Sequence, residues 1–308
     1  MSKVAFVFPG QGSQTVGMCK AFYDEYAVAK RVFEEADEAL GFSITKMCFE
    51  GPESDLRLTY NTQPAILTAS TACAAVLKEK GISCDVAAGH SLGEYSALVN
   101  TGALAFADAV RIVRKRGQFM QEAVPVGEGS MAAVLGLESD KIVEICQAVE
   151  AVQAVNFNCP GQVVIAGAVN AVNKAVEALK AAGAKRAVLL PVSAPFHSTL
   201  MKPASERLAE VLAPIEIKDI TIPVVANVTA KEVTSGAEIK ELLVKQAAMP
   251  VLWETSVRNM VADGVDTFVE VGPGKVLTGF TKKIAKGLPA LNIEDPASLE
   301  KVLAHFEK

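Results

Sequence analysis

The sequence lacks the residue patterns on which metal, disulfide and nucleic-acid-binding proteins usually depend. Its three histidines and six cysteines are scattered, and no C-x-x-C pair occurs, so a bound metal is not expected. The net charge is -5 and no basic stripe is interleaved with aromatic residues, which argues against nucleic acid as a partner.

Long hydrophobic runs are also missing. The first apolar run, Val4–Phe8, stops at Pro9 and is too short for a membrane span or the core of a secretory signal. We therefore expect no membrane association, a cytoplasmic location and cysteines that stay as free thiols. Half of the 308 residues are nonetheless hydrophobic and 21% are charged, which is typical of a compact protein with a sizeable core.

Short apolar runs alternate with longer segments of helical period, which predicts an α/β protein with a mainly parallel sheet. Strands are predicted at Val4–Phe8 and at 86–88. Helices are predicted over 18–40, over 63–80 with Gly81 closing the second, and from 295 onward.

The middle of the chain has a different pattern. Apolar runs at 131–136, 152–158, 162–168 and 186–192 enclose helical periods near 139–149 and 170–182. This order, βαββαβ, is typical of a ferredoxin-like unit. The sequence thus predicts a hydrolase-like large α/β domain formed by 1–124 and 195–308, with a small inserted domain at 125–194.

The strongest local motif is Gly89-His90-Ser91-Leu92-Gly93, a G-x-S-x-G between a predicted buried strand and a predicted helix. The glycines let the chain turn sharply, so that the serine hydroxyl stands at a helix N-terminus where backbone N–H groups favour negative charge. An ordinary turn with an N-cap serine is the alternative. The strand–turn–helix context favours a nucleophile.

A serine hydroxyl needs a general base, and the chain offers only three histidines. His90 is expected to point away from Ser91 and to pack. His197 follows a predicted strand end, where α/β sheets collect their sites, and is the favoured base. His305, in the terminal helix, remains an alternative base, because the members of a catalytic triad meet in the folded structure and need not be close in the sequence.

Several motifs occur in one order along the chain: FPGQGSQ at 8–14, GHSLGEY at 89–95 and PFHS at 195–198. Further matches are Gln63-Pro64, Arg116-Gly117, Asn158 with Pro160 and Gln162, Gln246 with Trp253, and Val271-Gly272-Pro273-Gly274. With these motifs the sequence resembles the acyl-carrier-protein transacylase family over almost its whole length.

The resemblance implies that Ser91 is the nucleophile and His197 its general base and acid. It implies an oxyanion hole formed by the backbone N–H groups of Gln11 and Leu92. It also implies that a backbone carbonyl close to Gln246 orients the histidine, so no carboxylate partner is expected. Such a carbonyl can fix the tautomer by accepting the Nδ1 hydrogen.

Arg116 is the residue expected to select the acyl group. A malonyl group ends in a carboxylate, which a buried guanidinium matches with two parallel charge-assisted hydrogen bonds. The alternative is that Arg116 lies on a solvated face of a helix with Arg111, Arg114 and Lys115. The match of Arg116-Gly117 to the family favours the binding role.

Other matching residues are expected to line the site. Phe196 resembles the malonyl-selecting form of the family, in which a bulky ring crowds an α-methyl branch. Gln63, Asn158 and Gln246 match lining positions of the family. Glu94 and Tyr95 are interpreted as first-turn and packing residues.

The resemblance implies a ping-pong enzyme of fatty acid biosynthesis. Such an enzyme transfers malonyl from malonyl-CoA, through a malonyl-serine ester, to the phosphopantetheine thiol of an acyl carrier protein, without cofactor or metal. We expect a monomer. The acidic carrier would dock on a local basic patch, either Lys282, Lys283 and Lys286 or Lys185 and Arg186.

Two other functions stay open. An ordinary α/β-hydrolase would use Ser91, a carboxylate such as Asp266, and His305 in that chain order. A catalytically idle carrier-binding module would bind its partner without forming a covalent acyl intermediate. A domain of a megasynthase is also conceivable, although a free-standing enzyme is expected.

Overall fold

The computed structural model describes residues 2–192 and 194–307. The strands are β1 (Val4–Phe8), β2 (Val86–Gly89), β3 (Gly129–Leu135), β4 (Val152–Cys159), β5 (Gln162–Ala168), β6 (Arg186–Leu189), β7 (Val224–Val225), β8 (Glu232–Val233), β9 (Thr267–Val271) and β10 (Ala290–Ile293). They form two separate sheets.

The larger sheet has six strands in the order β10-β9-β1-β2-β7-β8. All neighbouring pairs are parallel except β7 and β8 at one edge. The central strands β1, β2 and β9 are buried along their whole length, as expected for a parallel sheet covered on both faces. The α/β fold class is confirmed.

Helices pack against both sheets and supply much of the apolar core. They are α1 (Lys20–Glu25), α2 (Ala27–Leu40), α3 (Ile44–Glu50), α4 (Glu53–Leu56), α5 (Thr59–Glu79), α6 (Leu92–Asn100), α7 (Phe106–Glu122), α8 (Ser139–Ala148), α9 (Val169–Ala181), α10 (Lys202–Leu212), α11 (Gly236–Gln246), α12 (Trp253–Ala262), α13 (Val276–Ile284) and α14 (Pro296–Phe306). None of the helices among the described residues is long and apolar enough to cross a membrane.

The single helix expected over 18–40 is wrong, because the structure breaks it at Tyr26. Tyr26 has extended backbone angles, φ -119° and ψ 115°, and separates α1 from α2. The break allows Phe22 of α1 and Phe33 of α2 to enter one core from different directions. The helical period continues across Tyr26 in the sequence, so periodicity alone could not locate the turn.

The helix expected over 63–80 begins earlier, at Thr59, and carries Pro64 inside it. Proline has no N–H to donate to the carbonyl of Tyr60, four residues before it. Arg114 of α7 donates to that carbonyl from Nη1 at 3.3 Å. A side chain from a distant helix thus replaces the missing hydrogen bond, which the local sequence does not indicate.

The smaller sheet is antiparallel, in the order β4-β5-β3-β6. With α8 and α9 its elements follow one another as βαββαβ, the ferredoxin-like layout. The helices cover one face, around Ile142 and Leu179. The other face, with Met131 and Val164, packs against Phe196. The exact domain boundaries, at 125 and 194, stay a prediction.

Backbone hydrogen bonds join the small sheet to the large domain. Phe157 N of β4 donates to Val251 O at 3.0 Å, and Val251 N donates to Val155 O at 2.8 Å. Val251 lies between α11 and α12 of the large domain. The cleft between the two sheets is therefore fixed by a short β-type ladder on one side.

Candidate active site

The motif around Ser91 forms a tight turn between β2, which ends at Gly89, and α6, which begins at Leu92. Ser91 has φ 52° and ψ -109°, a backbone conformation that costs about 1–3 kcal/mol and recurs at functional sites. A Cβ atom on Gly89 would collide with the backbone of Gly93, and one on Gly93 would collide with Phe8 O. Both glycines are therefore required by the turn.

The Ser91 side chain does not cap α6, unlike an ordinary N-cap serine, whose oxygen accepts a backbone N–H of the first turn. Ser91 N instead donates to Asn227 Oδ1 at 2.7 Å. The Ser91 hydroxyl points to the cleft between the two sheets, where it meets His197 and Arg116.

His197 lies beside the serine hydroxyl, with Nε2 at 2.7 Å from Ser91 Oγ. Its Nδ1 lies 2.8 Å from the backbone oxygen of Gln246. A carbonyl only accepts hydrogen bonds, so Nδ1 carries the hydrogen and Nε2 is left as the acceptor that a general base needs. Burial, assisted by the charge of Arg116, lowers the pKa of His197 to about 3, so the imidazole is neutral at physiological pH.

The other two histidines lie elsewhere. His90 points away from the hydroxyl, as expected: its Nε2 is 2.8 Å from Asn158 Oδ1 and its ring packs at 5.7 Å from that of Trp253. His305 lies near the end of α14 against Phe306. Asp266 bonds to the hydroxyls of Ser2 and Thr267. The residues of the hydrolase alternative are thus not brought to Ser91.

Gln11 and Leu92 lie on opposite sides of the Ser91 turn and line the same cavity. Leu92 is the first residue of α6, and Gln11 follows β1 in a turn. The two turns touch at Gly10, where an added Cβ would collide with His90 O. Only glycine allows this close approach. The oxyanion hole formed by the backbone N–H groups of Gln11 and Leu92 stays a prediction.

Arg116 is 1% exposed, so it does not lie on a solvated helix face, unlike its exposed neighbours Arg111 and Lys115. Its Nη1 donates to Gln63 Oε1 at 2.7 Å, and Nη2 donates to Gln246 Oε1 at 2.8 Å and to Ser91 Oγ at 3.1 Å. Gly117 allows α7 to approach the start of α5 closely, because a Cβ at this position would lie only 2.7 Å from Thr59 O.

Two polar residues of the site were missed by the sequence reasoning, Glu94 and Asn227. Both are buried, at 3% and 1% exposure. Asn227 N and Gln246 Nε2 both donate to Glu94 Oε2, at 3.0 and 2.8 Å. Burial raises the pKa of Glu94 to about 7. Tyr95 packs as expected, with its ring 5.5 Å from the Arg116 guanidinium. Glu94 lies in the first turn of α6, as expected, but its carboxyl group also bonds to the residues of the site.

The cavity beside Ser91 has a volume of about 120 Å³, and Gln63 and Phe196 line it as expected. A larger groove of about 320 Å³ adjoins it and shares Gln11 and His90 with it. Asn158 lines this groove and also holds His90. Val276 and Phe280 of α13 also line this groove.

Comparison with known proteins shows what this site resembles. The chain matches the acyl transferase domain family over residues 5–302. It is 52% identical to the malonyl CoA-acyl carrier protein transacylase of Bacillus subtilis (strain 168), over 97% of this chain and 96% of that protein.

Solved structures agree with this match. An acyl carrier protein S-malonyltransferase from Vibrio cholerae is 49% identical with a TM-score of 0.96, covering 98% of this chain and 100% of the other. A malonyl-transacylase solved in complex with a type II PKS acyl-carrier protein is 47% identical with a TM-score of 0.96, covering 99% and 100%.

Proposed function

The chain belongs to the acyl transferase domain family, and on that basis we propose that it transfers malonyl groups from malonyl-CoA to an acyl carrier protein. The relatives that carry this activity in their names are about half identical to it over nearly the full length. One observation carries the assignment: Ser91 Oγ lies between His197 Nε2, at 2.7 Å, and Arg116 Nη2, at 3.1 Å. The arrangement places a nucleophile with its general base next to a cation that can bind a carboxylate.

The first half-reaction loads the serine. Ser91 Oγ attacks the thioester carbon of malonyl-CoA while His197 Nε2 takes the hydroxyl proton. The tetrahedral oxyanion is stabilised by the backbone N–H groups of Gln11 and Leu92. The carbon–sulfur bond then breaks, the CoA thiolate receives the proton from His197, and a malonyl-Ser91 ester remains.

The second half-reaction reverses these steps with a different thiol. His197 takes the proton of the carrier's phosphopantetheine thiol, and the sulfur attacks the ester carbonyl. Collapse of the second oxyanion breaks the carbon–oxygen bond and returns the proton to Ser91. The kinetics are therefore ping-pong. A neutral His197, held in one tautomer by Gln246 O, suits both directions of proton transfer.

Arg116 binds the malonyl carboxylate in this proposal. Its guanidinium is already held by the side-chain oxygens of Gln63 and Gln246, so its donors are oriented before substrate arrives, which reduces the entropy lost on binding. Phe196 lines the same cavity and would crowd a branched acyl group. All of these steps use side chains and backbone of the chain and need no cofactor or metal.

The biological setting follows from the same assignment. We place the enzyme in fatty acid biosynthesis and expect it to act as a monomer. We also place it in the cytoplasm, where its six buried free cysteines would stay reduced. Of the two basic patches, the exposed Lys282, Lys283 and Lys286 are favoured for carrier docking, because α13 also lines the groove. Charge reversal there should slow transfer to the carrier but not loading from malonyl-CoA.

Intact-protein mass spectrometry tests the proposed function. Brief incubation with malonyl-CoA should add one malonyl group to the protein, acetyl-CoA should add little, and carrier protein should discharge the adduct. Ser91→Ala should abolish it, whereas Ser256→Ala, a buried serine that bonds to Leu252 O, should not. Free malonate without an adduct would support the hydrolase, and neither product would support an idle carrier-binding module.

A further inference from the structure

Glu94 is a buried carboxylate inside the site that the proposed mechanism does not use. We propose that Glu94 is a positioning residue, whose carboxylate fixes the Gln246 side chain and, through it, the Arg116 guanidinium. This inference rests on the proposed function of the same site. Burying a carboxylate is costly unless its hydrogen bonds are satisfied, so its place at 3% exposure requires a reason.

The sequence offers a simple reason that the structure rules out. Ser91 and Glu94 have the S-x-x-E spacing of a capping box, in which the glutamate side chain bonds to the N-cap backbone N–H. Ser91 N instead donates to Asn227 Oδ1. Since Ser91 has φ 52°, it does not adopt the extended conformation of an N-cap residue. The Glu94 carboxylate is therefore free to serve the site.

The geometry of Gln246 shows what Glu94 does. A glutamine amide has donors on one side and an acceptor on the other. Gln246 Nε2 faces three acceptors, Glu94 Oε2 at 2.8 Å, Ser91 O at 2.9 Å and Asn227 Oδ1 at 3.4 Å. Its Oε1 faces the Arg116 donor at 2.8 Å. A flipped amide would put oxygen against oxygen and N–H against N–H, so Glu94 together with Ser91 O selects the orientation that holds Arg116.

The same oxygen also supports the turn around the nucleophile. Glu94 Oε2 accepts from Asn227 N at 3.0 Å. The Asn227 side chain then bonds on both sides of the turn, accepting from Ser91 N and donating from Nδ2 to Gly89 O at 2.6 Å. One carboxylate oxygen thus connects the segment that holds Arg116 with the one that holds Ser91. Burial raises the pKa of Glu94 to about 7, and the hydrogen bonds from Asn227 and Gln246 and the charge of Arg116 oppose that rise only in part.

The test compares Glu94→Ala and Glu94→Gln in the full-length protein, by the rate of malonyl-Ser91 formation from malonyl-CoA. Glu94→Ala should lower this rate by about 100-fold, the loss that misplacing reacting groups by about 1 Å causes. Glu94→Gln should restore most of it, because its amide oxygen can accept from both Asn227 and Gln246. Equal rates for Glu94→Ala and the wild type, or no restoration by Glu94→Gln, would overturn the inference.

A double-mutant cycle shows whether Glu94 acts through Gln246. If it does, Glu94→Ala combined with Gln246→Ala should lose far less than the product of the two single losses. A loss equal to that product would contradict the proposed route. Glu270→Gln is the matched control, since Glu270 is a buried glutamate that bonds to Leu277 and Thr278 in another part of the large domain. Glu270→Gln should change thermal stability but leave the rate of malonyl-ester formation unchanged. In a cycle with Gln246→Ala, the two effects on this rate should simply add in free energy.

Wild type and Ser91→Ala are measured in the same series, so the two proposals fail separately. If the wild type forms no adduct, or Ser91→Ala still forms one, the proposed function is wrong whatever Glu94 does. If the wild type forms the Ser91 adduct and Glu94→Ala does so at the same rate, only the role of Glu94 is wrong. Thermal midpoints of all variants show that the rates come from folded protein.

Discussion

Arg116→Ala should separate malonyl from acetyl transfer. The substitution removes a buried guanidinium that bonds to Gln63 and Gln246 and that faces Ser91. Leaving the malonyl carboxylate in the cavity without its buried partner costs about 3–5 kcal/mol. At 1.36 kcal/mol per tenfold, kcat/KM for malonyl-CoA should fall by roughly 10²–10⁴-fold.

Acetyl-CoA provides the internal comparison, because an acetyl group has no carboxylate to lose. Its kcat/KM should fall by about tenfold or less, the loss expected from removing the one hydrogen bond that Arg116 makes to the Ser91 hydroxyl. The preference for malonyl over acetyl should therefore decrease. Equal losses for both substrates would refute the argument, since Arg116 would then support the fold of the site and not read the acyl group.

The pH dependence of the same variant gives a second check. After burial, Arg116 is the largest cause of the low pKa of His197. Removing its charge should raise that pKa from about 3 towards the ordinary value, so the acid limb of kcat/KM for acetyl-CoA should move to higher pH. Arg116→Lys keeps a charge but loses the planar fork, and should weaken malonyl transfer without this shift.

Three further predictions follow from the site. His197→Ala should slow malonyl-ester formation by about 10⁴-fold or more, the scale known for the bases of serine enzymes, whereas His305→Ala should leave the rate unchanged. Gly93→Ala should destabilise the protein by about 1–3 kcal/mol in denaturant unfolding because its Cβ collides with Phe8 O; Gly279→Ala, in open space on α13, should stabilise it slightly, and similar values for both would contradict the steric argument. Since the pKa of Glu94 is raised to about 7 from 4.5, the folded state binds the extra proton between these values. Stability should therefore fall as pH rises from 4.5 to 7, more in the wild type than in Glu94→Gln, and parallel curves would show that Glu94 is not the group.

The elements closest to the chemistry were the most predictable from sequence. The turn at Ser91 has a five-residue signature with two glycines whose surroundings leave no room for a Cβ, so the motif could be recognised from the sequence. His197 could be favoured because the chain has only three histidines. The backbone carbonyl that orients it has no sequence signature, and it was located at Gln246 only through the family resemblance.

Residues whose role depends on distant contacts were not predictable. Glu94 has a local spacing that indicates a helix cap, and only the approach of Gln246 and Asn227, far along the chain, gives it another partner. Similarly, Arg114 donates to Tyr60 O, the carbonyl that Pro64 cannot serve inside α5. In both cases a tertiary hydrogen bond overrides a local preference, which a sequence pattern does not record.

The short β-type ladder between Val251 and β4 links the small domain to the segment that holds His197. Val251 follows, five residues later, the Gln246 carbonyl that holds His197. Any outward swing of the small domain about this ladder would pull on the segment that keeps the base in place. The small domain and the histidine are therefore coupled through one short segment, 246–251, which carries the carbonyl at the site and the ladder to β4.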